Sequence, residues 1–185
     1  MSPAFAHSGG FGCRLRPSTG SGSAYLTVDD TGFAPGRPIA SFIMFFRLVT
    51  APSPNQNYMN LFEIGSTSTS AVKSQFTVFF RGGELMCDFN WTEVRRIGRM
   101  PSVGGWHMIQ AVVNYGSSTY TARVSLDGAP SQTLTSAADK TPQSVRALWL
   151  HYPGVAVDHT IDVDDIAMVT STVDPGFLPP PSVSF

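Results

Sequence analysis

Lysine, glutamate and cysteine are scarce in this chain, and it has no long apolar run. Its 185 residues include two lysines, Lys73 and Lys140, and three glutamates, Glu63, Glu84 and Glu93. Charged residues make up 14%, with a formal net charge of −1 at pH 7. A balance so near zero supplies no electrostatic draw toward nucleic acid or an anionic membrane. No stretch approaches the roughly 18 consecutive apolar residues that a membrane span needs. The opening ten residues have neither a basic n-region nor an apolar h-region, so no secretory signal is read there. The sequon Asn90-Trp91-Thr92 then carries no glycosylation reading. Cys13 and Cys87 are the two cysteines, too few for a disulfide scaffold. Each sits among apolar residues on an alternating segment, which favours buried thiols and leaves a pair as the alternative.

What is present is apolar mass and turn formers. Hydrophobic residues make up 42%, and 17 glycines and 14 prolines are scattered along the chain. The length suits one domain with a core large enough to fold without metal or disulfide staples. No repeat of 20–50 residues is visible, which excludes a solenoid or propeller.

The dominant pattern has period two. In the segment from Tyr120 to Gly128, Tyr120, Ala122, Val124 and Leu126 share one face, and Thr121, Arg123 and Ser125 the other. The segment ends in the turn pair Asp127-Gly128. Phe11, Cys13 and Leu15 alternate in the same way, as do Ala24, Leu26 and Val28. Further strands are expected over 39–49, 60–65, 75–81, 84–91, 106–115, 145–152 and 160–170. The turn signals between them include Arg81-Gly82-Gly83, Gly104-Gly105 and Pro153-Gly154. The strand at 39–49 is apolar on both faces. Phe42, Met44, Phe46 and Leu48 form one row, and Ile43 and Phe45 the other, so both sides need a cover. The stretch Arg95–Pro101 reads as a loop, and Thr135–Gln143 as a loop or a single turn. In the last strand, Ile161 and Val163 hold one phase while Ile166 and Met168 hold the other, which predicts a β-bulge at Asp164-Asp165. Residues 1–173 are therefore expected to form a single β-sandwich domain. Residues 174–185 form a proline-rich extended tail, which either lies back on its own sandwich or reaches a neighbouring subunit.

The order of these segments resembles the laminin-G-like branch of the concanavalin A-like jelly rolls. The likeness rests on Gly105-Trp106-His107, then Leu126-Asp127-Gly128, then Ile161-Asp162-Val163-Asp164-Asp165-Ile166, and it covers roughly residues 11–170. It implies an all-β fold, an antiparallel two-sheet jelly-roll sandwich. On the residues alone, Trp106 reads as a core anchor at the sandwich rim.

Glycoside hydrolases of the laminarinase type share that fold and resemble one another in a Glu-x-Asp-x-x-Glu strand, which is absent here. The nearest approximation runs from Glu84 to Glu93. Glu84 and Asp88 share a strand face but lie about 13 Å apart at strand rise, beyond the roughly 5–5.5 Å of a retaining pair. Asp158, Asp162, Asp164 and Asp165 are oxygen donors that either hold a calcium ion or serve as solvated and turn-capping carboxylates, and the spacing favours the second. His107, His151 and His159 form no metal spacing, and no nucleophile elbow is present. The expectation is a chain with no catalytic residue, metal or cofactor.

Sugar recognition needs aromatic platforms beside amides and carboxylates on loops. The candidates are Tyr58, Asn90, Trp91, His151 and Tyr152. Their alternative role is to cap the core or meet another subunit. A short chain of this kind resembles accessory virion proteins of bacteriophages. That resemblance implies a virion-surface location, a cell-surface polysaccharide as ligand, and virion proteins or further copies as partners through the tail. The competing reading is a decoration protein with no glycan ligand.

Overall fold

A computed structural model describes residues 7, 12–16, 24–28, 38–51, 59–65, 76–89, 93–116, 118–137, 144–151 and 160–180. For residues 24, 25, 27, 28, 59, 65 and 144–151 it describes the backbone alone. Among the described residues the chain forms twelve strands and no helix. They are β1 (Cys13–Leu15), β2 (Ala24–Val28), β3 (Ile39–Leu48), β4 (Met59–Gly65), β5 (Phe76–Arg81) and β6 (Glu84–Phe89). The remainder are β7 (Glu93–Arg99), β8 (Trp106–Asn114), β9 (Thr119–Leu126), β10 (Gln132–Ala137), β11 (Ser144–His151) and β12 (Ile161–Ser171). The first sheet has the order β1-β12-β3-β8-β9-β10 and the second β2-β11-β4-β5-β6-β7. Every pairing is antiparallel. This is the expected two-sheet jelly-roll sandwich.

Alternation builds the core. Phe42, Met44, Phe46 and Leu48 of β3 point inward, as do Ile109, Ala111 and Val113 of β8 and Ala122 and Val124 of β9. The second sheet answers with Phe62, Ile64, Phe76, Val78, Phe80, Leu85, Cys87 and Phe89. Phe42 and Phe62 join the sheets, with ring centroids 4.6 Å apart. Cys13 and Cys87 are free thiols on different sheets. Burial and the neighbouring Asp88 charge push the Cys87 thiol far up, so it stays protonated.

Two turns carry the predicted positive φ. Asp127 and Gly128 adopt +51° and +73°, and Gly82 and Gly83 adopt +59° and +81°. Gly82-Gly83 is the two-residue hairpin that matches strand twist, with Arg81 paired to Glu84, whereas Asp127-Gly128 makes a turn closed by Ala129 N to the Leu126 carbonyl within the longer β9–β10 connection. The predicted bulge is present in β12, where the register shifts between Asp164 and Ala167 and Asp165 takes φ +48°. The shift returns Ile166 and Met168 to the core side after Ile161 and Val163.

Two expectations fail at the sheet edges. Arg95–Pro101 is not a loop, because residues 93–99 form β7. Arg95, Arg96 and Arg99 are exposed there, and a register shift opposite Leu85 and Met86 breaks the alternation that pattern reading needs. Thr135–Ala137 likewise belongs to β10, in which Leu134 alone is buried. An edge strand needs only one ladder and one apolar contact, so its sequence carries little signal.

Residues 174–180, the first part of the tail, form a strap that lies back across the outer face of the first sheet. The Ser41 hydroxyl donates to the Gly176 carbonyl at 2.9 Å, and Gln110 Nε2 to the Leu178 carbonyl at 2.6 Å. Arg123 bonds Asp174 at 2.6 Å and lies 5.6 Å over the Phe177 ring. Ile39, Ile43 and Val112, which face outward on this sheet, are buried. That supplies the second cover the apolar β3 required. Arg123→Ala is expected to leave the melting temperature nearly unchanged, since an exposed ion pair contributes at most about 1 kcal/mol. It should speed chymotryptic cleavage after Phe177 by about fivefold through local opening. Cleavage at the wild-type rate would mean that Arg123 does not hold the strap.

Candidate functional site

The five loop candidates mostly lie outside the described residues: Tyr58, Asn90, Trp91 and Tyr152 entirely, and the side chain of His151. The strand ends to which they attach are informative. Tyr58 precedes Met59, the first residue of β4, and Met59 pairs with His151, the last residue of β11. Those two strand ends are neighbours. Asn90 and Trp91 follow Phe89, which pairs with Phe76, which in turn pairs with Ile64 near the far end of β4. The two attachment points are roughly 16 Å apart along β4 at strand rise. The described strand ends adjoining the candidates thus lie at opposite ends of the second sheet.

The Tyr58 end is also where the first sheet concentrates its charge and aromatic surface. The segment 100–105 ties the sheets together there. Met100 N donates to the Gly83 carbonyl, and Gly104 N to the Leu48 carbonyl. At the end of β3, Val49 N donates to the Thr160 carbonyl at 2.9 Å, and Thr160 N to the Thr50 hydroxyl at 2.9 Å.

On the outer face beside this rim, register aligns Arg14 of β1, Asp162 of β12, Arg47 of β3 and Trp106 of β8 in one row. Asp162 is 0% exposed. Its Oδ1 accepts from Arg14 Nε at 2.6 Å, and its Oδ2 from Arg47 Nη2 at 2.5 Å. The bond to Asp162 raises the Arg14 pKa further. Arg47 in turn lies 4.9 Å over the Trp106 ring. His7 stacks on Phe45 at 3.9 Å and meets Trp106 edge-on at 5.4 Å. Its backbone N donates to Asp164 at 2.7 Å, and its Nδ1 contacts Asp165 at 2.9 Å.

Two sequence readings are corrected here. Trp106 is not a core anchor. Ile109, Ala111 and Val113 point inward, so Trp106 points outward with Met108 and Gln110, and His107 takes the inward place, 5.9 Å from Phe46. Asp162 is not a solvated carboxylate, because two arginines cover it. Asp158 lies outside the described residues, among which no group of three or more His, Cys, Asp or Glu could hold a metal ion.

The outer face of the second sheet carries a different arrangement. Glu63, Thr77 and Asp88 form a cross-strand row over β4, β5 and β6. All three are buried, with Asn60 and Phe79 beside them. Glu84, on the same face of β6 as Asp88, is engaged by Arg96 Nε at 2.7 Å. Pattern reading missed the row because Glu63 and Thr77 look like ordinary outward strand residues. It missed the rim cluster because cross-strand neighbours are far apart in sequence.

No protein-family model matches the sequence, and no curated protein sequence matches it. The structure is similar to that of an alginate lyase of polysaccharide lyase family 7, AlgAT5, with TM-score 0.57 and 12% identity over 86% of this chain and 69% of the lyase. It is similar to the lectin UEA-II complexed with galactose, with TM-score 0.52 and 12% identity over 86% of this chain and 87% of the lectin. It is also similar to botulinum neurotoxin type C, whose cell entry depends on interaction with two ganglioside molecules. There the TM-score is 0.55 and the identity 11%, over 89% of this chain and 40% of that one. At these identities the likeness establishes the fold, a concanavalin A-like jelly roll.

Proposed function

We propose that this protein is a non-catalytic, lectin-like recognition module that binds polysaccharide at the rim where Arg14, Arg47 and Trp106 gather. The observation that carries the reading is this convergence at one end of the sandwich. A half-buried tryptophan, two arginines and three carboxylates gather on the first sheet at the end of the sandwich where, in the second sheet, β4 begins after Tyr58 and β11 ends at His151. Aromatic rings pack on the apolar face of a pyranose, and the planar polar groups read its hydroxyls. β6, which leads to Asn90 and Trp91, ends at the opposite end of the second sheet, so the site is proposed without them. The fold is one that a galactose-binding lectin also uses, which supports the reading without fixing the ligand. The non-catalytic reading rests on the engagement of Glu84 by Arg96 and the burial of Asp88.

The setting we propose is the surface of a bacteriophage virion, as a laminin-G-like accessory protein touching host-surface polysaccharide. Purified cell-wall polysaccharide should bind the full chain, and Trp106→Ala and Tyr152→Ala should each weaken binding about tenfold, as loss of a stacked aromatic does. Trp91→Ala should leave it unchanged. If virions incorporate the protein but no glycan binds at millimolar concentration, it is a decoration protein instead. New reducing ends, lost on Asp88→Asn, would make it an enzyme.

A further inference from the structure

Beside the rim, the outer face of the first sheet carries a flat ring that belongs to the chain itself. His7 lies nearly parallel to Phe45, with ring centroids 3.9 Å apart and planes inclined by 18°, and meets Trp106 edge-on at 5.4 Å. Its backbone N donates to Asp164 Oδ2 at 2.7 Å, and its ring Nδ1 lies 2.9 Å from Asp165 Oδ2. A carboxylate only accepts, so Nδ1 carries the proton in that contact. His7 is thus a planar ring on an aromatic face, with two N–H donors turned toward two neighbouring carboxylates.

A bulge builds the seat for that ring. Along a regular strand adjacent side chains point to opposite faces, which would put Asp164 and Asp165 on different sides of the sheet. In β12 Asp164 pairs with Phe45 and Ala167 with Ile43, so Asp165 and Ile166 together stand opposite Met44. The extra residue, with Asp165 at φ +48°, brings both carboxylates to His7 on one side of the sheet. A left-handed aspartate stores strain, and such strain is retained where the geometry it gives is used. Side-chain exposure is 23% for His7 and 15% for Asp165, so the seat lies at the surface.

The groups that hold His7 also suit a pyranose. The apolar face of the sugar can take the place of the imidazole on Phe45, and two of its hydroxyls can donate to Asp164 and Asp165 as the His7 nitrogens do. We propose that Phe45, Asp164 and Asp165 form a saccharide subsite beside Trp106, and that His7 fills it as an internal competitor which a pyranose ring displaces. The subsite deepens the lectin reading and rests on it. While His7 is seated the subsite is closed, so the apparent affinity falls with the fraction of molecules in which it is open.

The test uses the full chain labelled with ¹⁵N-histidine, the His7 signals being those that His7→Ala removes. Methyl glycosides of galactose, glucose and N-acetylglucosamine are added at millimolar concentration, with cell-wall polysaccharide in parallel. In the wild type, binding should move the Nδ1 resonance of His7 toward that of free histidine. His7→Ala should tighten binding about tenfold, the release of a competitor held by one ring stack and one side-chain hydrogen bond. In the His7→Ala background, Phe45→Leu keeps the apolar bulk but removes the aromatic face, and should cancel the gain. A gain that survives Phe45→Leu overturns the platform. A saccharide that binds the wild type while the His7 signal stays still, or that binds His7→Ala no more tightly, overturns the subsite and leaves the lectin reading intact. If no sugar and no polysaccharide binds either protein, the lectin reading falls and the subsite with it.

Discussion

Phe62→Ala is expected to destabilise the fold by about 3–5 kcal/mol, the cost of truncating a fully buried phenylalanine. For a chain of this size that lowers the melting temperature by roughly 10 °C. Phe62 projects from β4 into the space between the sheets, is 0% exposed, and meets Phe42 of β3 at 4.6 Å and Phe76 of β5 at 6.0 Å. Its loss leaves a cavity that the facing ring cannot fill without shifting β3, the strand on which both neighbours of the first sheet depend. Phe62→Leu retains most of the volume and should cost less than half as much. Thermal unfolding followed by circular dichroism decides the matter. A Phe62→Ala protein that melts within about 2 °C of wild type would mean that the two sheets do not pack through this ring.

Such core positions are legible in the sequence because strand alternation is a local signal. Period two alone assigns Phe42, Met44, Phe46 and Leu48 to one face. It also marks the bulge at Asp164-Asp165, since a phase change in one strand is written within a few residues. β7 and β10 are not legible in this way. An edge strand shares one ladder instead of two and buries little, Leu134 alone in β10 and no residue fully in β7, so Arg95-Arg96 and Thr135-Ser136 read as loop. Trp106 reads onto the wrong face because its phase is set by three apolar residues further along β8, and an aromatic at a strand head invites a core reading. The row of Arg14, Asp162, Arg47 and Trp106 is out of reach of pattern altogether. Its members come from four strands, and only register brings them together. The same holds for His107 with Asp127, which are joined across the β8–β9 hairpin. Of the loop candidates, sequence offers a set of residues in or beside loops, and register then sets the strand ends that adjoin them at two ends of one sheet.

Asp162→Ala is expected to cost about 3 kcal/mol, the lower part of the range for breaking a buried ion pair. The lower part applies because the two arginines keep some contact with water, at 35% side-chain exposure for Arg14 and 23% for Arg47. The carboxylate itself has none. It is held by four guanidinium bonds of 2.5–3.0 Å, and removing it leaves two like charges facing each other over an apolar strand. Asp162→Asn keeps the volume and one acceptor oxygen but loses the charge, and should recover less than half of the loss. The change should also reach the rim. Arg47 is fixed over Trp106 by the same carboxylate, so the fluorescence of Trp106 should change in Asp162→Ala. In a Trp106→Phe background that spectral change should vanish while the destabilisation remains. Because Asp162 is sealed from solvent, added salt should not reproduce the effect in the wild type, as it would for a surface pair. If Asp162→Ala melts with the wild type and leaves the tryptophan signal untouched, the arginines are held by other contacts and the rim does not depend on this carboxylate.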